Sequence, residues 1–118
     1  MKTIGLRDGL AFDEDRPHAV PVHADAAGRV LRFTLRAGQH LKEHASPGSP
    51  VYLLVIEGEG LFAGGDGMEQ RLGPGFLAIL DPGEAHSVRA LDGDLVVVAI
   101  LHGEPTARPG AVPGTMTS

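Results

Sequence analysis

The strongest constraint on this chain is its punctuation. Apolar runs of four to eight residues recur along it, and nearly every one ends in glycine, proline or aspartate. Val30-Leu-Arg-Phe-Thr-Leu-Arg36 alternates, with Leu31, Phe33 and Leu35 on one side and Arg32, Thr34 and Arg36 on the other. Val51–Ile56 and Leu95–Leu101 are continuously apolar, the pattern of strands covered on both faces. Shorter candidate strands are Ala19–Val22, His40–His44, Gly60–Ala63, Glu69–Leu72, Phe76–Leu80 and His86–Leu91. Between them stand Ala63-Gly-Gly-Asp-Gly67, Gly73-Pro-Gly75, Asp81-Pro-Gly83 and Asp92-Gly-Asp94, all turn-forming chemistry. No dozen-residue window shows apolar spacing of three and four, so helices are not expected. Many short strands with tight turns imply a sandwich or barrel. The expected fold is all-β, an antiparallel jelly-roll β-barrel over about residues 10–102.

At 118 residues the chain has room for one core and not two. The expected organisation is a single barrel over residues 1–103, opened by an arm or edge strand, with a flexible Pro/Gly-rich tail at 104–118. Hydrophobic residues at 42% are enough for a folded core. A net charge of −5 with no basic run argues against a nucleic-acid partner. No apolar stretch approaches the ~20 residues of a membrane span, so no membrane partner is expected. The chain has no cysteine and no visible apolar leader, which fits a cytoplasmic protein.

Two stretches carry the candidate chemistry. The first is Gly38-Gln-His-Leu-Lys-Glu-His44, continuing through Val51–Glu57 to Gly58. The second is Gly75-Phe-Leu-Ala-Ile-Leu-Asp-Pro-Gly83, followed by Glu-Ala-His86. In the first, strict alternation puts His40, Lys42, His44 and Ser46 on one face. In the second, His86 opens a strand in which Val88 and Ala90 share its face. Inner side chains of facing strands converge on one interior, so histidines of the two stretches can meet there. Neutral imidazole is a ligand for zinc, copper, iron and nickel.

Together the stretches resemble the two signatures of the cupin family, in its small single-domain, RmlC-like form, over roughly residues 36–91. The resemblance implies the jelly roll, and in many members a divalent metal held by three histidines and one glutamate. On this chain His44 matches the first histidine and His86 the third. Ser46 stands at the second histidine position and Val51 at that of the glutamate. Two of four ligands are thus replaced, and neither replacement serves: valine has no donor and a serine hydroxyl is a poor ligand. Any divalent metal (Zn, Fe, Mn or Ni) is therefore expected to bind weakly or not at all.

Two further histidines can be asked to complete a site. His40 lies about 13 Å of strand rise from His44, too far for one ion unless a bulge near Leu41-Lys42 changes the phase. His102 ends the last apolar run, but its facing is undecided because every residue from Leu95 to Leu101 is apolar. His18 and His23 lie among polar and turn residues and are expected at the surface.

The function expected is small-molecule binding in the barrel interior, in a pocket that includes Phe33, Ser46, Val51 and Val88, with His44 and His86 as its polar groups. The alternative is a metal-dependent oxygenase or isomerase using His44, His86 and a further histidine. Ser46 is equally a hydrogen-bond partner for a purely structural His44. An epimerase-like acid–base pair would need a tyrosine inside, and Tyr52, the one tyrosine, neighbours inward-pointing Val51 and so faces out. Tyr52, Leu54 and Ile56 in a row on the outer face need a cover, for which a homodimer is expected, with the N-terminal arm as the other candidate.

Overall fold

The computed structural model describes residues 1–103, and for residues 43 and 44 the backbone alone. The expected flexibility of the tail concerns residues 104–118, which lie outside the described residues. Nine strands form, and no helix is present among the described residues. They are β1 (His18–Asp25), β2 (Gly28–Leu35), β3 (His40–His44), β4 (Val51–Glu57), β5 (Gly60–Ala63), β6 (Glu69–Leu72), β7 (Leu77–Leu80), β8 (His86–Ala90) and β9 (Leu95–His102). One sheet has the order β1-β2-β9-β4-β7 and the other β3-β8-β5-β6, all pairings antiparallel. Consecutive strands repeatedly cross between sheets, which gives the expected jelly roll as two facing sheets.

The core fills the space between the sheets. Leu35, Val51, Leu53, Val55, Leu95, Val97, Ala99 and Leu101 come from the five-stranded sheet, and Phe62, Val88 and Ala90 from the other. Val51, Leu53 and Val55 alternate with the half-buried Tyr52, Leu54 and Ile56, as period two requires. β9 is buried on both faces over Leu95–Ala99. Its outer residues Val96 and Val98 are the register partners of Thr34 and Arg32 on β2.

The N-terminal arm, which forms no strand, is held to the outer side chains of the neighbouring β2. The Arg32 guanidinium donates to the carbonyls of Leu6, Asp8 and Gly9 at 3.3, 2.8 and 3.3 Å, and the Thr34 hydroxyl to that of Ala11 at 2.5 Å. Arg36 lies over the Phe12 ring at 4.5 Å and pairs with Glu14 and Asp94. Arg32 is buried with no carboxylate beside it, and its Nε has no hydrogen-bond partner. Carbonyl dipoles of the arm replace the water it has lost.

The arm stops short of the far edge. On β7, Leu77 is 50% and Ile79 64% exposed, and their register partners on β4 are Leu54 and Tyr52. No helix of the described residues is long and apolar enough to cross a membrane.

Candidate functional site

A cavity of about 130 Å³ lies between the sheets. Its apolar wall includes Leu31, Phe33, Leu41, Val51, Leu53, Val88, Val97, Ala99 and Leu101, and its polar side chains are Arg29, Ser46 and His86.

Strand register explains why these polar groups share one end. Arg29, Leu101, Val51 and Leu80 form one row across β2, β9, β4 and β7. Leu31, Ala99 and Leu53 form the next row, and Phe33 and Val97 a third pair. From Leu80, in the Arg29 row, the short turn at Asp81–Ala85 delivers the chain to His86 at the start of β8 in the other sheet. Ser46 follows β3 at this same end, and its carbonyl accepts the Gly83 N–H at 2.9 Å. Gly83 has φ +81°, a conformation that favours glycine, which is why the Pro-Gly pair stands there.

Glu84 braces this turn. Its carboxylate accepts the N–H of Gly65 at 2.8 Å and that of Asp81 at 2.9 Å. These bonds, the Gly65 one foremost, hold its carboxyl below the usual range. Its backbone carbonyl lies 3.1 Å from Nδ1 of His86. A carbonyl only accepts, so Nδ1 carries the proton and a neutral ring bears its lone pair on Nε2. His86 is 3% exposed.

The other histidines lie on β1, β3 and β9. β3 does carry a bulge: His40 pairs with Arg89 and Leu41 with Val88, and the register then shifts so that His44 pairs with His86. The shift acts against the expectation that a bulge would bring His40 in. Leu41 packs on the core, and His40 is exposed in an open surface depression that His86 also lines, together with Ala63, Gly64, Gly67, Glu69 and Ser87. His44 is the register partner of His86, and its side chain lies outside the described residues. His102 is corrected as well. It alternates with the inward Leu101, is exposed on the outer face, and packs against Tyr52 with ring centroids 5.3 Å apart. It does not line the cavity. His18 and His23 sit half-buried on β1 and not fully exposed, and His23 Nε2 bonds Asp25 at 2.8 Å. Neither lines the cavity.

Phe33, Ser46, Val51 and Val88 all lie on the cavity wall. The positions that the resemblance assigns to a second histidine and a glutamate thus border the cavity, and they hold a hydroxyl and an isopropyl group. Among the described residues no three His, Cys, Asp or Glu side chains gather as a metal set. The donors present do not fit the four-ligand arrangement. Arg29 escapes a sequence reading that starts the alternation at Val30. Extending it back one residue gives Arg29 the phase of Leu31, Phe33 and Leu35.

Two facing antiparallel sheets in a jelly roll of nine strands among the described residues, with a cavity between them, define a small β-sandwich. Residues 31–101 match the family model for the cupin domain, and the chain belongs to the cupin family. Solved structures agree. An RmlC-like cupin protein from Desulfovibrio desulfuricans is 28% identical, with a TM-score of 0.80 over 86% of this chain and 96% of its own. A Thermus thermophilus protein is 24% identical at TM-score 0.82, covering 89% of this chain and all of its own. A Klebsiella pneumoniae protein described as having a double-stranded β-helix domain is 20% identical at TM-score 0.82, over 89% and 92%. The last two likenesses establish fold alone. No curated protein sequence matches the chain.

Proposed function

We propose that this cupin binds a small molecule in the cavity between its sheets, with His86 and Ser46 among the polar contacts. The supporting observation is the cavity's make-up: an apolar wall with its polar side chains at one end. At about 130 Å³ it is slightly smaller than the ~150 Å³ apolar cavity that accepts benzene in another protein. The ligand body is therefore small, of about six heavy atoms. The metal-enzyme alternative has less support. Its further histidine would be His40 or His102; neither lines the cavity, and both are exposed, His40 in a surface depression that His86 also borders.

Elemental analysis of the purified chain, combined with methyl NMR on Val88 and Val97 during titration with small apolar probes, tests this. Shifts of those methyls with substoichiometric metal are expected. One tightly held zinc, iron, manganese or nickel per chain, with no probe entering, would reverse the two readings.

We also propose a homodimer through the outer face of β4 and β7. Supporting it are the exposed Leu77 and Ile79 beside Leu54 and Tyr52, a run of large apolar side chains that the arm leaves uncovered.

A further inference from the structure

Seven arginines fall among the described residues, and six have partners for their guanidinium groups. Arg7 pairs with Glu57, Arg16 with Asp13, Arg36 with Glu14 and Asp94, Arg71 with Glu59 and Arg89 with Glu69, while Arg32 holds three carbonyls of the arm. Arg29 alone among them makes no side-chain hydrogen bond or ion pair within the described chain. It is also the one that lines the cavity. This is not a surface arginine left to solvent, because it is partly buried and in phase with Leu31 and Phe33.

A cation beside an apolar cavity selects for an anion that carries an apolar body. A guanidinium is planar, always charged, and presents parallel N–H donors whose spacing matches a carboxylate. Arg29, Ser46 and His86 share one end, and the rows of Leu31, Ala99 and Leu53 and of Phe33 and Val97 lie beyond. A ligand entering body-first thus buries its apolar part and leaves its charged head at the arginine. The cavity volume limits the body to about the size of a benzene ring or a four- or five-carbon chain.

Resting on the reading that the cavity binds a small molecule, we propose that its ligand is a small amphiphilic carboxylate, held at the charged end by Arg29 and by its apolar body against Leu31, Phe33 and Val97. Arg29 is then the specificity-determining residue. Neutral molecules of the same shape fill the cavity without using it.

Benzoate and its neutral isostere benzamide are titrated into the full chain at neutral pH, with Val88 and Val97 methyl shifts as readout, in the unmodified protein and in Arg29→Gln. Benzoate is expected to bind at least tenfold more tightly than benzamide. Arg29→Gln should lower benzoate affinity at least tenfold, about 1.4 kcal/mol, and leave benzamide within twofold. Arg29→Lys keeps the charge but loses the paired donors, and should fall between the two, which also covers the event that Arg29→Gln does not fold. Equal affinities for the two probes, insensitive to Arg29, would overturn the carboxylate assignment while leaving the cavity reading intact. No methyl shift with either probe at millimolar concentration would remove the cavity reading and this inference with it.

Discussion

Gly58 and Gly83 offer a controlled comparison, because both have φ +81° but stand in different surroundings. Gly58 opens the two-residue corner by which the chain leaves β4 in one sheet for β5 in the other. A Cβ added there would sit 2.0 Å from the carbonyl oxygen of Asp94, whereas one added at Gly83 meets nothing within 4 Å. Alanine at either position bears the left-handed backbone penalty, about 1–2 kcal/mol. It recovers a few tenths to about 1 kcal/mol from its less flexible unfolded state. Gly83→Ala should therefore cost about 1 kcal/mol. At Gly58 the corner must also retreat by more than an ångström from a backbone atom. That movement threatens the Leu91 N–H to Glu59 carbonyl bond of 3.1 Å and the Glu57–Val96 pairing. Overpacking of this kind adds about 1–3 kcal/mol, so Gly58→Ala should cost about 2–4 kcal/mol. For a domain of this size each kcal/mol moves Tm by about 4–8 °C. Urea denaturation with a shared m value, supported by thermal melts, measures both. Equal losses for the two variants would refute the steric argument and leave only backbone conformation at work.

Three further outcomes are expected. Ser46→His with Val51→Glu should raise zinc or manganese affinity at least tenfold by calorimetry, about 1.4 kcal/mol, and should lose stability without metal because the new carboxylate replaces a core valine that is 4% exposed. Tight one-to-one binding by the unmodified chain would show that Ser46 and Val51 were never the vacant positions. Glu84 has a folded-state carboxyl below its unfolded value, so its contribution is present above pH ~4.3 and is lost as pH falls through the lower folded value. Glu84→Gln should flatten the stability–pH curve in that acid range, and an unchanged slope would remove the turn-bracing role. Light scattering at micromolar concentration should give a dimer mass, and Ile79→Lys should convert it to monomer. A monomer before any substitution sinks the proposed interface.

The strands were legible because their ends are chemically marked. The structure has β3, β5 and β6 with the bounds read from the sequence, each closed by Gly, Pro or Asp turns. Inward and outward sides were legible wherever apolar and less apolar residues alternate, as on β4. On β9 the alternation is absent for a physical reason: the outer Val96 and Val98 are buried as fully as the inner residues, so both faces demanded apolar side chains. The facing of His102 was hidden by that demand. The β3 bulge was illegible for another reason. Nothing in Leu41-Lys-Glu-His44 marks the extra residue, and a single unpaired position reverses the face of everything before it. The bulge leaves Leu41 on the core side and His40 exposed.

Arg29 and Arg32 show how one strand can give the same residue type opposite roles. Three positions apart on β2, they differ in phase, so Arg32 lies under the arm and Arg29 lines the cavity. Arg32 is neutralised by no carboxylate, yet its donors are largely met by carbonyls that the arm brings to it. Arg29 has no such arm on its side. Its row continues through Leu101 to Val51, two strands away, or about 10 Å between backbones. A glutamate at position 51, where the family resemblance would place one, would come within reach of that guanidinium along the same face of the sheet. With valine there instead, no carboxylate within the described chain meets the positive charge. The valine that stands where the resemblance would place a metal-binding glutamate therefore also leaves Arg29 open, on the proposed reading, to an anion from outside. The expected weakness of metal binding and the proposed selection of a carboxylate thus both trace to Val51.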